Sequence, residues 1–188
     1  MLFRSVLENA VKVLNEGGVI LCPTDTIVGL SCLASNLNAI ERILDIKKRP
    51  KNKSLIILVS SDAMLNKYVE DVPEIAWDLI DCSDKPITII YNNPKNLPLE
   101  ILASDGSIGI RIVRKGFCNK LIHKLNQPII STSANLSGAP TPNNIDQVSK
   151  DVLSQLDYVV NLPKETTNGS SSSIIKVDVN GEIKIIRS

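Results

Sequence analysis

Thr24, Asp25 and Thr26 set two hydroxyls around one carboxylate, directly after the apolar run Val19-Ile20-Leu21 and just before Gly29. The run reads as a buried strand, so the trio sits in a polar loop at a strand's carboxyl end, where open α/β sheets hold small ligands. Two further clusters carry groups suited to anions. Lys47-Lys48-Arg49-Pro50-Lys51-Asn52-Lys53 holds five cations, and Ser131-Thr132-Ser133-Ala134-Asn135-Leu136-Ser137-Gly138 holds four hydroxyls and an amide. Catalysis by these groups would need the three clusters, distant in sequence, to meet in space.

Lys47 and Arg49 at a helix end can both reach a polyphosphate, Arg as a bidentate fork and Lys as a point charge. A solvated helix end is the other reading of the same run. The 131–138 segment, placed as a loop after a buried strand, offers side-chain donors and backbone N–H groups for an anion cradle, or else a turn that caps its own backbone. It matches neither the phosphate-binding loop of nucleotide hydrolases nor the glycine fingerprint of dinucleotide folds. Arg111 alternates with Ile110 and Ile112 and is expected to point off the opposite sheet face, toward a ligand anion or an acidic side chain. His123, on an amphipathic helix with no carboxylate or serine near it in sequence, reads as structural. The four cysteines read as small buried residues and Trp77 as a core anchor.

The positioning elements follow from periodicity. Val6, Ala10, Val13 and Leu14 share a helix face that Gly17-Gly18 would end before a strand at 19–22. Asn36 or Asn38 caps a second helix with Ile40, Ile43 and Leu44 inside, ending at the basic cluster, where cations suit the helix dipole. Leu55–Val59 reads as a central strand; Ser61 and Pro73 open two short helices. Residues 87–91, 108–112 and 129–130 read as strands, with a helix near 117–125. Asn180-Gly181 between residues 172–179 and 182–187 predicts a hairpin with a type I′ turn. The expected architecture is a single α/β domain over 1–188, a twisted open mixed sheet with helices on its faces.

With 188 residues, 43% of them apolar, one substantial core can form without disulfides. Cys22, Cys32, Cys82 and Cys118 lack a Cys-x-x-Cys spacing, which fits a reducing, cytoplasmic setting, and a single histidine argues against a zinc site. No apolar stretch approaches the roughly 20 residues of a membrane span, so no membrane association is expected. A net charge of +1 argues against general nucleic-acid coating, although six acidic residues between 70 and 84 oppose the five cations at 47–53.

Pro23-Thr24-Asp25-Thr26-x-x-Gly29-Leu30, Lys47-x-Arg49-Pro50-x-x-Lys53, Gly109-Ile110-Arg111 and Ser131-Thr132-Ser133-Ala134-Asn135-x-Ser137-Gly138 occur in that order. This combination resembles the YrdC-like family, whose best-known members are threonylcarbamoyl-AMP synthases, over nearly the whole chain from about residue 10. The resemblance implies a positively charged cavity on the concave sheet face. It also implies synthesis of threonylcarbamoyl-AMP and pyrophosphate from ATP, L-threonine and bicarbonate, with Mg2+ carried mainly by the ATP oxygens and water. Partner proteins would then transfer the threonylcarbamoyl group to an adenosine 3′ of the anticodon in certain tRNAs.

By the same resemblance Lys47 and Arg49 would hold the triphosphate and the developing charge, and Ser131, Ser133 and Asn135 the nucleotide. Thr24 and Thr26 would lie by threonine and the carbamate, Arg111 would meet a substrate carboxylate, and Ser172 and Arg187 would lie near the nucleotide. No protein metal ligand is implied. Alternatives of the same fold are a YciO-like paralogue with another substrate and a double-stranded RNA- or tRNA-binding factor without turnover. Departures from the family pattern fall at Val28, where an aromatic residue is usual, at Ser83-Asp84-Lys85, and at Val113 in place of a proline. The additional carboxyl-terminal domain of longer relatives is not expected.

Overall fold

The structure, a computed structural model, describes residues 2–49, 55–162, 167 and 169–188. Helix α1 (Leu2–Asn15) buries Val6, Ala10 and Leu14, the face its spacing predicts. Gly17 takes a φ of 86°, and the N–H groups of Gly17 and Gly18 reach the carbonyls of Leu14 and Val13, ending the helix. The chain then enters β1 (Ile20–Pro23) and turns back through Thr24–Ile27 into β2 (Val28–Leu33), its antiparallel neighbour. Strand β2 has no counterpart in the sequence reading. All six of its residues are buried, so Val-Gly-Leu-Ser-Cys-Leu lacks the alternation that marks a half-exposed strand.

Helix α2 (Leu37–Lys47) starts where Asn36 accepts the Ala39 N–H at 3.0 Å. It stops at Lys48, whose left-handed conformation turns the chain so that the basic residues follow at the helix's end. Pro50, Lys51, Asn52 and Lys53 of that cluster lie outside the described residues. Strands β3 (Ile56–Val59), β4 (Ile87–Tyr91), β5 (Ile108–Ile112) and β6 (Ile129–Ser133) are interleaved with α3 (Asp62–Tyr68, capped by Ser61), α4 (Glu74–Cys82, after Pro73) and α5 (Gly116–Leu125). After the short α6 (Lys150–Leu153) come β7 (Tyr158–Val159), β8 (Ser173–Val177) and β9 (Ile183–Arg187).

Among the described residues these strands form one mixed sheet, ordered β7-β1-β2-β6-β3-β5-β4-β8-β9. Strand β3 is central as expected, parallel to β5 and antiparallel to β6. Ile57, Ile89, Ile110 and Ile130 belong to the buried core, while their neighbours Ile56, Ile90, Arg111 and Ser131 line a hollow on the sheet's other face.

Three expectations need correction. Ser131–Ser133 continue strand β6 rather than opening a loop, because they pair with Ser31–Gly29 of the unforeseen β2. The β8–β9 turn is not type I′: the Gly181 N–H bonds to Asp178 O, and Gly181, not Asn180, carries the positive φ of 81°. A three-residue connection with glycine in the left-handed position replaces the two-residue one. Cys82 is exposed, although Cys22, Cys32 and Cys118 are buried.

Candidate active site

The hollow on the sheet is a cavity of about 330 Å³. Alternate strand residues form its floor: Gly29, Ile56, Thr88, Gly109, Arg111, Ser131, Ser133 and Ile174. Among the described residues, none from helices α1–α6 lines it. Two glycines keep the floor low. A Cβ on Gly29 would stand 2.7 Å from Ser131 Oγ and 3.1 Å from Thr132 O, and one on Gly109 would stand 3.2 Å from an Ile56 methylene.

The Thr24–Ile27 turn is built by its own hydroxyls. Thr24 Oγ1 lies 2.7 Å from Ile27 O, which can only accept, so the Thr24 hydroxyl donates there. The Thr26 hydroxyl, 2.9 Å away, must then donate to Thr24 Oγ1. Arg111 Nη2 donates to Thr26 Oγ1 at 3.2 Å, completing a directed chain from Arg111 through Thr26 and Thr24 to Ile27 O. On its other side Arg111 Nε lies 3.3 Å from Asp25 Oδ1. Burial raises the Asp25 carboxyl above its usual range, while the Arg111 charge acts the other way. Of the two partners anticipated for Arg111, the acidic side chain is found in Asp25, and the guanidinium also lines the cavity.

Lys47 is 2% exposed and is not on the cavity wall. Its Nζ donates to Ser133 O and, at 2.8 Å, to Asn135 O, with Ser133 Oγ at 3.4 Å. The Ser137 N–H returns to Lys47 O at 2.8 Å, so this lysine runs beneath the 133–137 segment and holds it. Burial, with the neighbouring Arg49 charge second, brings its ammonium down to about 8. Arg49 does line the cavity, with Nη1 3.5 Å from Thr132 Oγ1, and burial lowers its pKa too. Asn135 is off the wall. Its Oδ1 is buried without a hydrogen-bond partner, while its amide nitrogen bonds Ala139 O.

The opposite wall comes from the chain's last strands. Ser172 and Thr88 share a hydrogen bond of 2.8 Å between their buried hydroxyls. Arg187 Nε and Nη2 donate to Ser172 O at 3.1 and 2.7 Å. Burial lowers the Arg187 pKa, with the Arg111 charge a lesser cause.

The cavity thus gathers Thr24, Thr26, Arg49, Arg111, Ser131, Ser133, Ser172 and Arg187 on one surface, with Lys47 and Asn135 one layer behind. Sequence reasoning did not single out Thr88, Ser107 and Ser171, which also line it, as does Thr132 of the 131–138 cluster. Thr88 had a visible signal, the one aliphatic hydroxyl among the isoleucines of its strand. Val28, Val113 and the 83–85 departures are not on the cavity wall, and Val28 and Val113 are buried in the core. Among the described residues no three His, Cys, Asp or Glu side chains converge on a metal site, and no helix is long and apolar enough to cross a membrane.

Fold and cavity together define an α/β protein with a hydroxyl-lined, arginine-bearing hollow on one face of a mixed sheet. The Sua5/YciO/YrdC family model, described as "Telomere recombination", matches residues 12–188, and the chain belongs to that family. It is 32% identical over 183 residues to the threonylcarbamoyl-AMP synthase of Pseudoalteromonas translucida, covering 96% of this chain and 97% of that protein. It is 36% identical over 177 residues to a putative threonylcarbamoyl-AMP synthase of Methanocaldococcus jannaschii, covering 93% and 82%. The crystal structure of P. abyssi Sua5 complexed with L-threonine superposes with a TM-score of 0.82 at 27% identity, over 91% of this chain and 50% of that one. The chain therefore spans half the length of that larger protein.

Proposed function

We propose that this protein is a threonylcarbamoyl-AMP synthase, a nucleotidyltransferase that converts ATP, L-threonine and bicarbonate into threonylcarbamoyl-AMP, pyrophosphate and water. The observation that carries this reading is the meeting of Arg49, Arg111 and Arg187 with the hydroxyls of Thr24, Thr26, Ser131, Ser133 and Ser172 in one cavity. Family membership and the relatives' shared name support it.

The threonine amine attacks the bicarbonate carbon and water leaves, giving a carbamate. A carbamate oxygen then attacks the α-phosphorus of ATP in line, and the bond to the bridging oxygen breaks to release pyrophosphate. Both nucleophiles belong to the substrates, so the protein's work is positioning and neutralising charge. Arg49 and Arg187 suit the phosphates as forked donors. Lys47 shapes the Ser133–Asn135 segment and adds its charge behind it, so that Ser131 and Ser133 present to the nucleotide while Asn135 braces the segment through its bond to Ala139 O. Arg111, aligned by Thr26 and Asp25, takes the threonine carboxylate or the carbamate, with Thr24 and Thr26 beside it. ATP enters as its magnesium complex, the metal held by phosphate oxygens and water. The product is a reactive mixed anhydride, consumed in the cytoplasm by proteins that transfer its acyl group to tRNA. Residues 1–188 act as one domain.

The test is mass spectrometry of a reaction holding purified protein, ATP, magnesium, bicarbonate and L-threonine. Threonylcarbamoyl-AMP formed only when threonine is present supports the assignment; ATP binding without that product refutes it.

A further inference from the structure

The Asp25–Arg111 pair divides the cavity electrostatically. The two side chains are 12% and 7% exposed, and neither Asp25 Oδ1 nor Arg111 Nε completes a hydrogen bond, so their 3.3 Å contact is charge pairing. Asp25 is not on the cavity wall. It opens behind Arg111 to a second hollow of about 310 Å³ on the far side of the sheet, beside Lys115 and Ile112. Arg187, on the same cavity wall and within reach of the Arg111 charge, differs in kind: its guanidinium donates to the neutral carbonyl of Ser172 and pairs with no carboxylate among the described residues.

A polyphosphate seeks net positive potential, whereas a zwitterion is at no disadvantage beside an ion pair. A fixed carboxylate a few ångströms behind Arg111 repels the former strongly in a partly buried site. We propose that Asp25 is a specificity-determining positioning residue: by neutralising Arg111 it reserves that arginine for a carboxylate-bearing amino acid and leaves polyphosphate to Arg49 and Arg187. This inference rests on the reaction proposed above, but its main readout does not require turnover.

Pyrophosphate binding to the full chain is measured by calorimetry, with and without L-threonine, in the wild-type protein and in Asp25→Asn. In the wild type the two ligands should bind without competing. In Asp25→Asn, pyrophosphate should bind about tenfold more tightly or at a second site, as expected for removing a close, buried like charge, and L-threonine should now compete with it. Asp25→Glu should restore independent binding. Where turnover is measurable, pyrophosphate inhibition should change from non-competitive to competitive against threonine. A merely structural Asp25 would weaken both ligands without creating competition. Competition already present in the wild type, which needs no variant to fold, overturns the proposal, as does an unchanged pyrophosphate affinity in folded Asp25→Asn. Failure to form threonylcarbamoyl-AMP while these binding results hold would instead indict the proposed reaction.

Discussion

Arg187 stands opposite Ile174, one residue out of step with the Ile185–Ile175 pair beside it. Ile186 is the extra residue of this bulge. Ile175 and Ile185 share one face of the hairpin, and regular alternation would send Arg187 to that same face, away from the cavity. The bulge reverses the parity, so Arg187 joins Ile174 on the cavity wall and reaches Ser172 O.

Deleting Ile186 should therefore be tolerated. The shortened strand can pair regularly with β8 and still turn its arginine into the cavity. ATP affinity should stay within about threefold of wild type, while Arg187→Met should lose about tenfold or more, the scale of a charged, forked contact. Calorimetric ATP titration of both variants checks this; equal losses would refute the parity argument.

Lys47 sets a pH dependence. Its ammonium titrates at about 8 in the folded protein against 10.5 ordinarily. Between those values the unfolded chain holds a proton that the folded chain lacks. This group's contribution to stability consequently rises with pH across that window, the cost of burying the charge being fully present below 8 and gone above 10.5. Urea unfolding at pH 7.5 and 9.5 should show this rise in the wild type and its loss in Lys47→Met.

A polyphosphate near the Ser133 segment favours the charged lysine. ATP binding at pH 8 should accordingly take up protons, detected as a dependence of the binding enthalpy on the buffer's ionisation enthalpy. The uptake should vanish in Lys47→Met; uptake that persists there would assign it to another group.

Thr26→Val keeps the shape of the side chain and removes the link between Arg111 and Thr24. The Arg111 donor loses its partner, at about 1–3 kcal/mol for such a buried group, while Thr24 Oγ1 still accepts the N–H groups of residue 26 and Ile27. The apparent KM for threonine should rise about tenfold or more, with that for ATP little changed, in steady-state pyrophosphate-release assays.

Gly29→Ala tests the floor of the cavity. The added methyl meets Ser131 Oγ, which can rotate, and Thr132 O, which is backbone and cannot easily retreat. Overpacking of this kind costs about 1–3 kcal/mol, and displacing Ser131 should weaken ATP binding as well. A thermal melt and an ATP titration on the same sample measure both.

Much of this is legible in the sequence. The Asn36 cap, the Gly17-Gly18 stop and the Ser61 start are local signals, satisfied within a few residues, and each appears where expected. The alternation around Arg111 correctly put it on the face opposite Ile110, since side chains of a strand have period two. Strand β2 escaped because a strand buried on both faces has no alternation to read. The extent of β6 escaped with it, since Ser131–Ser133 become strand only through pairing with β2.

By itself the sequence determined the groups available for chemistry, the helices and most strands that carry them, and the family that their order resembles. Spacing along the chain encodes all of these, because capping, periodicity and motif order act over short separations. Only the tertiary structure decided that Lys47 lies beneath the 133–137 segment rather than on the wall, that Asp25 backs Arg111, and that a bulge turns Arg187 inward. Those outcomes depend on register between strands and on which buried charge finds which partner. Contacts 86 residues apart, such as Arg111 with Asp25, arise when the sheet assembles, and no local pattern specifies them.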